Sequence, residues 1–277
     1  MIVATPIGNA GDIGLRALEV LKGADAIICE DTRVSMKLLA RHDIRRPLLA
    51  YHEHNAERMR PKILARLREG QSLALISDAG TPLVSDPGYK LVQAMIEEGL
   101  ALTTVPGPSA ALAALVLSGL PPDRFFFAGF LSPRSSQRRE ELRELAAIPS
   151  TLIVYESANR LGQTLADMAM VLGPRQAAVA RELTKLFEEV RRGGLPDLAQ
   201  HYAQQPTKGE VVIVIAPPGE GQVAGADAIE KALAEALANM SLRDAVDHVA
   251  AATGRPRREV YKRALSLAKP AAPGDEG

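Results

Sequence analysis

Short apolar runs alternate with amphipathic segments along residues 1–120 of the chain. The apolar runs have few polar interruptions, which is typical of strands covered on both faces of a parallel sheet. The segments between them carry helix end signals, such as Asn55 at a predicted start and Gly70 at a predicted stop. The pattern predicts strands at 2–5, 26–29, 48–51, 73–76 and 102–105, and helices at 15–22, 33–41, 55–70, 88–98 and 109–118. Residues 1–120 are therefore predicted to form an α/β lobe around a mostly parallel sheet.

A second lobe is predicted after Pro121-Pro122-Asp123, where the alternating pattern starts again. Strands are predicted at 125–130, 151–155, 177–180 and 210–215, with a helix at 135–147, and the lobe is placed at 121–218. A Pro- and Gly-rich linker at 217–221 precedes helices predicted at 227–238, 241–252 and 256–267, a small domain over 223–269, and a disordered tail at 270–277. The predicted fold class is α/β, with mostly parallel sheets in two lobes and a C-terminal helix-turn-helix-like domain.

Composition excludes several classes of protein. The chain holds 47% hydrophobic residues, but its longest strictly apolar run spans only residues 110–117. A membrane helix needs roughly 20 such residues, and no charged segment before an apolar stretch opens the chain, so we expect neither a membrane span nor a secretory signal. The single Cys29 cannot form an internal disulfide, which favours a reducing, cytoplasmic location. Basic and acidic residues are equal at 33 each, which argues against a general polycation that binds nucleic acid.

Four loops that follow predicted strands are dense in Gly, Pro and small polar residues, at 5–9, 30–33, 77–88 and 106–110. In a parallel α/β sheet such loops meet at the carboxyl edge, where ligands bind. Gly and Pro also make simple turns, but four such loops on one edge favour a binding cleft with a rigid backbone. Because the loops carry no G-x-G-x-x-G, G-x-x-x-x-G-K-[ST] or G-x-S-x-G sequence, we expect a small ligand without phosphate groups.

Charged residues of both signs follow the second predicted strand. Glu30 or Asp31 could accept a proton or orient a hydroxyl, with Arg33 holding an anion such as phosphate. Equally, the carboxylates could stabilise the N-terminus of the next helix, with Arg33 paired locally. His52 and His54 lack a Cys partner and the i, i+4 spacing of a metal motif, so we expect no metal site and place His54 in the wall of the cleft.

Two basic segments lie beyond the first lobe. Arg181 and Lys185 follow a predicted strand, and they belong either to a solvated charged hairpin or to a wall of the cleft. Residues 255–263 carry five basic residues against one acid on the third C-terminal helix. This helix follows a turn containing Gly, a helix-turn-helix layout that favours nucleic-acid contact over a solvated helix capping a small bundle. The candidate contacts on this helix are Arg257, Arg258 and Lys262.

The sequences TPIGN, EDTR, SDAGTPLVSDPG, PGPSA, SGLP, GFLSP, YES and RELTK occur in this order. Together they resemble the tetrapyrrole-methylase superfamily of S-adenosylmethionine-dependent methyltransferases, over residues 2–215. The resemblance implies a two-lobed α/β homodimer that binds S-adenosylmethionine in a cleft between its lobes. The implied cofactor-binding residues are Pro6, Gly8, Asp78, Gly80, Thr81, Pro82, Val84, Ser85, Ser109, Ala110, Tyr155 and Leu183.

Within the superfamily, EDTR, SDAGTP and RELTK resemble a subfamily that methylates a cytidine ribose 2′-oxygen in 16S ribosomal RNA, and the C-terminal helices resemble its appendage. This implies a cytoplasmic enzyme acting on small-subunit ribosomal RNA within the 30S particle. The candidate base is then Glu30 or Asp31, and Arg33 is the candidate phosphate anchor. The expected substrate contacts are His54, Arg181, Lys185, Arg257, Arg258 and Lys262. One departure is Asn159, which replaces a family histidine and cannot act as a base near pH 7.

Two other functions stay open at the level of the sequence. A methyltransferase for a tetrapyrrole-like metabolite fits the superfamily, although a small ring needs no basic appendage. A nucleic-acid-binding regulator could instead retain the cleft to sense a ligand without turnover.

Overall fold

The computed structural model describes residues 1–219, 226–238, 240–253 and 257–268. The strands of the first lobe are β1 (Ile2–Val3), β2 (Ala26–Cys29), β3 (Leu48–Ala50), β4 (Leu73–Leu75) and β5 (Thr104–Val105). Its helices are α1 (Leu15–Gly23), α2 (Thr32–Arg41), α3 (Ala56–Arg68), α4 (Tyr89–Glu97) and α5 (Ala110–Ser118). The strands form one parallel sheet in the order β3-β2-β4-β1-β5. The predicted elements of this lobe are therefore confirmed, with shifts of one or two residues at most ends.

The central strands of this sheet are buried on both faces, because successive side chains of a strand point to opposite sides. In β2, Ile27 and Cys29 pack with α1 and α2, whereas Ala26 and Ile28 pack with α3 and α4. Because both faces of these strands are buried by helices, the strands appear in the sequence as uninterrupted apolar runs. All five strands end at the same edge, so the loops that follow them meet there.

The second lobe differs from the expectation of a mostly parallel sheet. Its elements are β6 (Phe125–Phe130), α6 (Ser135–Ala146), β7 (Thr151–Ser157), α7 (Leu161–Leu172), β8 (Gln176–Arg181), β9 (Glu189–Gly194), α8 (Leu195–Gln204) and β10 (Glu210–Ile215). The strand order is β6-β7-β10-β8-β9, in which β6 and β7 are parallel and the three other pairings are antiparallel. The reason is that β8 and β9 form a hairpin and β10 returns between β7 and β8, so most neighbours lack a helical crossover.

Strand β9 and helices α7 and α8 were not predicted. The sequence of β9, Glu-Val-Arg-Arg-Gly-Gly, has no apolar alternation, yet it pairs with β8 along its whole length. It is an edge strand with exposed Arg191 and Arg192 side chains, and charged edges of this kind protect a sheet against pairing with other chains.

Helix α5 packs against the second sheet. Its Ala111, Ala114 and Leu115 belong to one apolar cluster with Ile153 and Val212 of that sheet. Helices α6, α7 and α8 cover the opposite face. The helix predicted to end the first lobe thus serves as a layer of the second, while the boundary at residue 120 stays a prediction.

A buried ionic cluster joins α6 to α7. Arg138 is 1% exposed, and its Nη2 lies 2.5 Å from one Asp167 carboxylate oxygen; Arg139 Nε lies 2.6 Å from the other. Ser135 Oγ also donates to this carboxylate, and Arg138 Nη1 donates to the Ser132 carbonyl at 3.1 Å. Burial alone would raise the pKa of Asp167, but the hydrogen bonds from the arginines and Ser135 hold that pKa below its usual range. Each buried charge therefore depends on its partner.

Three helices form the C-terminal domain, α9 (Ala226–Leu237), α10 (Leu242–Thr253) and α11 (Arg257–Ala268), close to their predicted positions. Apolar side chains from all three make a small separate core. Some of the predicted features lie outside the described residues. These are the tail, part of the linker, Gly254 and Arg255. Among the helices that the structure describes, none is long and apolar enough to cross a membrane.

Candidate active site

The loops after β1, β4 and β5 are hydrogen-bonded to one another at the carboxyl edge of the first sheet. Thr5 N donates to Gly80 O at 2.9 Å, and Gly80 N donates to Thr5 O at 3.1 Å. The buried Thr5 hydroxyl donates to Ser77 O at 3.1 Å. Thr81 Oγ1 donates to Pro108 O at 3.1 Å, which adds the third loop. Three of the four predicted loops thus form one connected backbone surface.

A cavity of about 370 Å³ opens at this edge, between the two lobes. Its volume falls within the roughly 300–1,000 Å³ of sites for small organic ligands. The first lobe supplies Ile7, Ala79, Gly80, Thr81, Val84, Ser85, Asp86, Ser109 and Ala110. The second lobe supplies Phe130, Tyr155, Glu156, Ser157, Ala180, Leu183 and residues 209–212.

Eight of the twelve predicted cofactor residues line this cavity: Gly80, Thr81, Val84, Ser85, Ser109, Ala110, Tyr155 and Leu183. Pro6, Gly8, Asp78 and Pro82 lie outside its wall. Their chain neighbours Ile7, Ala79 and Thr81 line it instead, so the same loops border the cavity at these positions.

Gly8 lies where the first-lobe loop meets the second lobe. A Cβ at this position would lie 2.6 Å from Lys185 Cγ, 2.7 Å from Thr184 Oγ1 and 2.9 Å from Leu183 O. Asn9 N donates to the same Thr184 Oγ1 at 2.9 Å. The absence of a side chain therefore lets the two lobes pack directly against each other beside the cavity.

We expect Gly8→Ala to lower the free energy of unfolding by about 1–3 kcal/mol, because the added methyl group overpacks this contact. S-adenosylmethionine affinity should fall as well, since Leu183 lines the cavity. Thermal unfolding and calorimetric titration check both effects. Gly23→Ala is the matched control, because its Cβ would meet nothing within 4 Å at the end of a helix. Unchanged stability and affinity in Gly8→Ala would contradict the packing role.

Several residues beside the cavity have left-handed backbone conformations without being glycine. Leu83 and Ser85 have φ values of 73° and 64°, and Glu182 and Thr184 have values of 50° and 64°. Such conformations are uncommon and cluster at ligand sites, where the surrounding structure enforces them. On both sides of the cavity, the surrounding structure thus holds the backbone in left-handed conformations.

Asp31 and Arg33 form a local pair at the start of α2. The Asp31 side chain caps the helix by accepting from Arg33 N at 2.8 Å, and Arg33 Nη2 donates to the carboxylate at 2.6 Å. These bonds lower the pKa of Asp31 to about 2, which makes it a weak base. Of the two roles predicted for this pair, the local helix-capping arrangement is the one present in the structure.

A group of carboxyls has pKa values above the usual range, and it consists of Glu30, Asp78 and Asp86. Asp78 accepts a hydrogen bond from Asp31 N at 3.3 Å, and burial raises the pKa of Asp78. Burial and the charge of Asp78 raise the pKa of Glu30. Burial and then the charge of Glu30 raise the pKa of Asp86 to about 6, and Asp86 lines the cavity. Perturbed carboxyls in a cleft are candidates for proton transfer.

Asp86 was not singled out from the sequence, although it lies in the predicted 77–88 loop. In the sequence, Asp86 is only an acid before the Pro-Gly pair that precedes α4, and the sequence does not show that its side chain is buried. In the described part of the chain, no group of three or more His, Cys, Asp or Glu side chains is arranged to hold a metal ion.

We expect Asp86→Asn to stabilise the protein at about pH 8. The folded-state pKa of about 6 exceeds the usual 3.8, so the folded state binds more protons than the unfolded state between these values. Stability therefore falls as pH rises through this window, and the asparagine escapes that loss. Allowing for solvent in the cavity, the gain should be about 1–2 kcal/mol at pH 8 and vanish near pH 3.5. Urea unfolding at the two pH values checks this, and an equal difference at both would contradict it.

Aromatic rings form part of the second-lobe wall. The Tyr155 ring centroid lies 5.6 Å from that of Phe130 and 4.8 Å from that of Phe127, both nearly edge-to-face. Phe130 is 60% exposed although it lines the cavity. Sequence reasoning found Tyr155 through the YES motif but did not select Phe130.

Glu156 is buried beneath this wall. Its carboxylate accepts from Arg160 Nε at 2.8 Å and from Thr164 Oγ1 at 2.5 Å. Asn159, at the position where the resemblance implied a histidine, is exposed and does not line the cavity. The departure at this position therefore leaves the wall of the cavity intact.

The predicted substrate residues Arg181 and Lys185 belong to the β8–β9 hairpin. Arg181 pairs with Glu189 at 3.1 Å, and Lys185 Nζ lies 2.9 Å from carboxylates of both Glu182 and Glu210. The predicted charged hairpin is therefore present. The hairpin also reaches the cavity, since Leu183, between β8 and β9, lines it.

The other predicted substrate residues are spread over two domains. His54 is exposed and does not line the cavity. On α11, Arg257 pairs with Asp247, whereas Arg258 and Lys262 are exposed. All three predicted α11 cations are thus exposed, and Arg257 is also paired with an acid.

Two α/β lobes with a cavity at the carboxyl edge of the first sheet are the features to compare with known proteins. The family described as Tetrapyrrole (Corrin/Porphyrin) Methylases matches residues 1–199, and the RsmI C-terminal HTH domain matches residues 223–268. A cobalamin biosynthetic enzyme, cobalt precorrin-4 methyltransferase, superposes with a TM-score of 0.60 at 20% identity, over 77% of this chain and 93% of that one. Diphthine synthase gives 0.61 at 16% identity, over 78% and 88%. These likenesses show the fold.

Closer relatives narrow the class. A Mesorhizobium japonicum protein named ribosomal RNA small subunit methyltransferase I is 51% identical over 100% of this chain and 94% of that protein. An Escherichia coli O157:H7 protein of the same name is 43% identical over 95% of this chain and 93% of that protein. The chain therefore belongs to the ribosomal RNA small subunit methyltransferase I family, within the tetrapyrrole methylases.

Proposed function

We propose that the chain methylates the 2′-oxygen of a cytidine ribose in 16S ribosomal RNA, using S-adenosylmethionine. As a member of its family, the chain is an S-adenosylmethionine-dependent methyltransferase of small-subunit ribosomal RNA. The observation that carries the finer proposal is the interlobe cavity, which opens beside carboxylates of raised pKa. A hydroxyl acceptor needs such a group nearby, because its proton has to leave during transfer.

The cavity fits S-adenosylmethionine in size and chemistry. The backbone of residues 79–86 and 109–110 offers N–H and C=O groups to the polar ends of the cofactor. Tyr155, Phe130 and Leu183 offer an apolar surface for its adenine ring. When bound, the cofactor supplies a methyl group that is already activated, so the protein mainly has to align the acceptor oxygen. Alignment of this kind is worth up to about 7–11 kcal/mol.

Glu30 is the proposed acceptor of the 2′-hydroxyl proton. It is partly exposed at the end of β2, so a macromolecular substrate has access to it. Its raised pKa suits proton transfer near neutral pH better than the pKa of about 2 at Asp31. Asp86 lines the cavity, and the charge of Glu30 helps to raise its pKa, so the proposed base lies close enough to the cavity wall to interact with it.

RNA contacts are proposed at the exposed cations near the cleft and on α11. Arg33 would hold a phosphate next to the target nucleotide, while Arg258 and Lys262 would hold RNA at a distance from the cleft. Arg181 and Lys185 would contribute less, because their side chains are only 19% and 29% exposed, against 84% for that of Arg33. Few phosphate contacts predict modest, salt-sensitive affinity.

We further propose a cytoplasmic homodimer that acts on the 30S particle. In support of self-association, the edge strand β6 exposes Phe125 and Phe126 by 45% and 42%. Exposed apolar edge strands are usually covered by a partner. Sedimentation of the purified protein tests the oligomeric state.

The decisive experiment measures transfer of a labelled methyl group to 30S particles, naked 16S ribosomal RNA and a porphyrinoid, each in separate reactions. Labelled RNA in which the phosphodiester bond after a single cytidine resists alkaline hydrolysis supports 2′-O-methylation. Label only in the porphyrinoid would support the tetrapyrrole alternative. Cofactor binding without any labelled acceptor would support a ligand-sensing regulator, and either result would overturn the proposal.

A further inference from the structure

The exposed face of α2 carries cations on three successive turns. Arg33, Lys37 and Arg41 are spaced four residues apart, so they lie on one side of the helix with about 6 Å of rise between them. Arg45 and Arg46 follow the end of the helix after three intervening residues and are also exposed. We call these five residues the basic stripe. Within residues 32–47 they face a single acid, Asp43, although the whole chain has no net charge.

Most of the basic stripe has no internal ionic partner. In the described part of the chain, Lys37, Arg41 and Arg45 form no ion pair. Arg33 pairs with Asp31, and Arg46 donates to the Lys22 carbonyl. By contrast, Arg181 and Lys185 of the hairpin and Arg138 of the α6–α7 cluster are paired with carboxylates. Like charges four residues apart on a helix repel one another and destabilise the helix. A bound anion would relieve this repulsion.

The position of the basic stripe connects it to the cleft. Arg33 stands at the N-terminus of α2, next to Asp31, whose backbone N–H donates to Asp78 in the carboxylate group. From there the helix leads away from the cleft towards β3. Beside its far end lies a depression of about 450 Å³, which is bordered by Met36, Arg45 and Arg46 and by one acid, Asp43. A chain that has one residue in the cleft can therefore continue along α2.

We infer that the basic stripe binds the phosphate backbone of the substrate RNA next to the nucleotide held in the cleft. This inference rests on the proposed function, because the cleft determines which polyanion passes the stripe. Phosphates recur along an RNA strand as cations recur along this helix face, and contacts to them position the substrate without reading its sequence. The combination of Met36 with arginines in the depression also suits an unstacked base.

The test neutralises the three unpaired cations together in Lys37→Gln/Arg41→Gln/Arg45→Gln. We expect KM for RNA to rise about tenfold or more, with kcat at saturation and S-adenosylmethionine affinity unchanged. The slope of log affinity against log salt should fall by about 2–3, because each lost phosphate contact removes roughly 0.7–0.9. The matched control is Lys62→Gln/Lys90→Gln/Arg143→Gln, which removes the same charge from exposed positions on other helices.

RNA binding is measured directly by fluorescence anisotropy as well as through turnover. If the stripe variant and the control lose affinity equally, or if neither loses any, the inference is overturned. A loss seen with 30S particles but not with naked RNA would assign the stripe to a ribosomal protein and would also overturn it. Absence of methyl transfer by the wild-type protein would overturn the proposed function alone, since the anisotropy comparison does not depend on turnover.

Discussion

Glu30→Gln is expected to lower kcat for methyl transfer to RNA by about 10²–10⁴-fold, the contribution of a positioned general base. The amide keeps the size of the side chain but cannot accept the hydroxyl proton. S-adenosylmethionine affinity should stay within a few fold, because Glu30 does not line the cavity. Single-turnover kinetics with saturating RNA measures the effect without interference from product release.

Two companion variants sharpen this result. Asp31→Asn should reduce kcat much less, since its carboxylate is occupied by Arg33 and serves as a helix cap. Asp78→Asn should shift the acidic limb of the pH–rate profile downwards, because the charge of Asp78 helps to raise the pKa of Glu30. Full turnover in Glu30→Gln, or a larger loss in Asp31→Asn than in Glu30→Gln, would show that the base is assigned to the wrong carboxylate.

Asp167→Ala is expected to destabilise the protein by about 3–5 kcal/mol, because it leaves the buried Arg138 cation without its carboxylate. An exposed pair would be worth far less, and the difference lies in the 1% exposure of Arg138. Urea unfolding at neutral pH measures the change. The cluster lies outside the cavity wall, so S-adenosylmethionine affinity of the folded protein should be retained.

Glu144→Ala provides the control for this substitution, since it removes an exposed carboxylate from α6. Its effect should stay within about 0.5 kcal/mol. Adding Arg138→Met to Asp167→Ala should recover part of the loss, because no unpaired cation then remains inside. If the double variant is less stable than Asp167→Ala, the destabilisation comes from lost packing rather than from an uncompensated charge.

The first lobe could be read from the sequence because its local patterns agree with its tertiary environment. Continuous apolar runs such as Ala26–Cys29 are buried on both faces by helices, and that is what such runs indicate. The second lobe was read less well. Strand β9 is held by its pairing with β8 rather than by its own composition, and the antiparallel placement of β10 depends on contacts between distant segments.

The site divides in the same way. The Gly- and Pro-rich loops of the first lobe signal ligand contact in their own sequences, and most of their chosen residues line the cavity. Residues 209–212 reach it only because β10 lies between β7 and β8, and no local motif marks them. The raised pKa of Asp86 arises from burial and from Glu30, so it too needed the folded structure.

The left-handed backbone at Leu83 and Ser85 limits how far this enzyme can be adapted to heat. Each such conformation costs roughly 1–2 kcal/mol, which glycine would relieve, partly offset by about 0.4–1 kcal/mol of added freedom in the unfolded chain. A glycine there would also loosen the loop that surrounds the ligand. Substitutions that raise the melting temperature at these two positions would therefore work against the preformed cavity, and stabilising changes are better placed elsewhere in the fold.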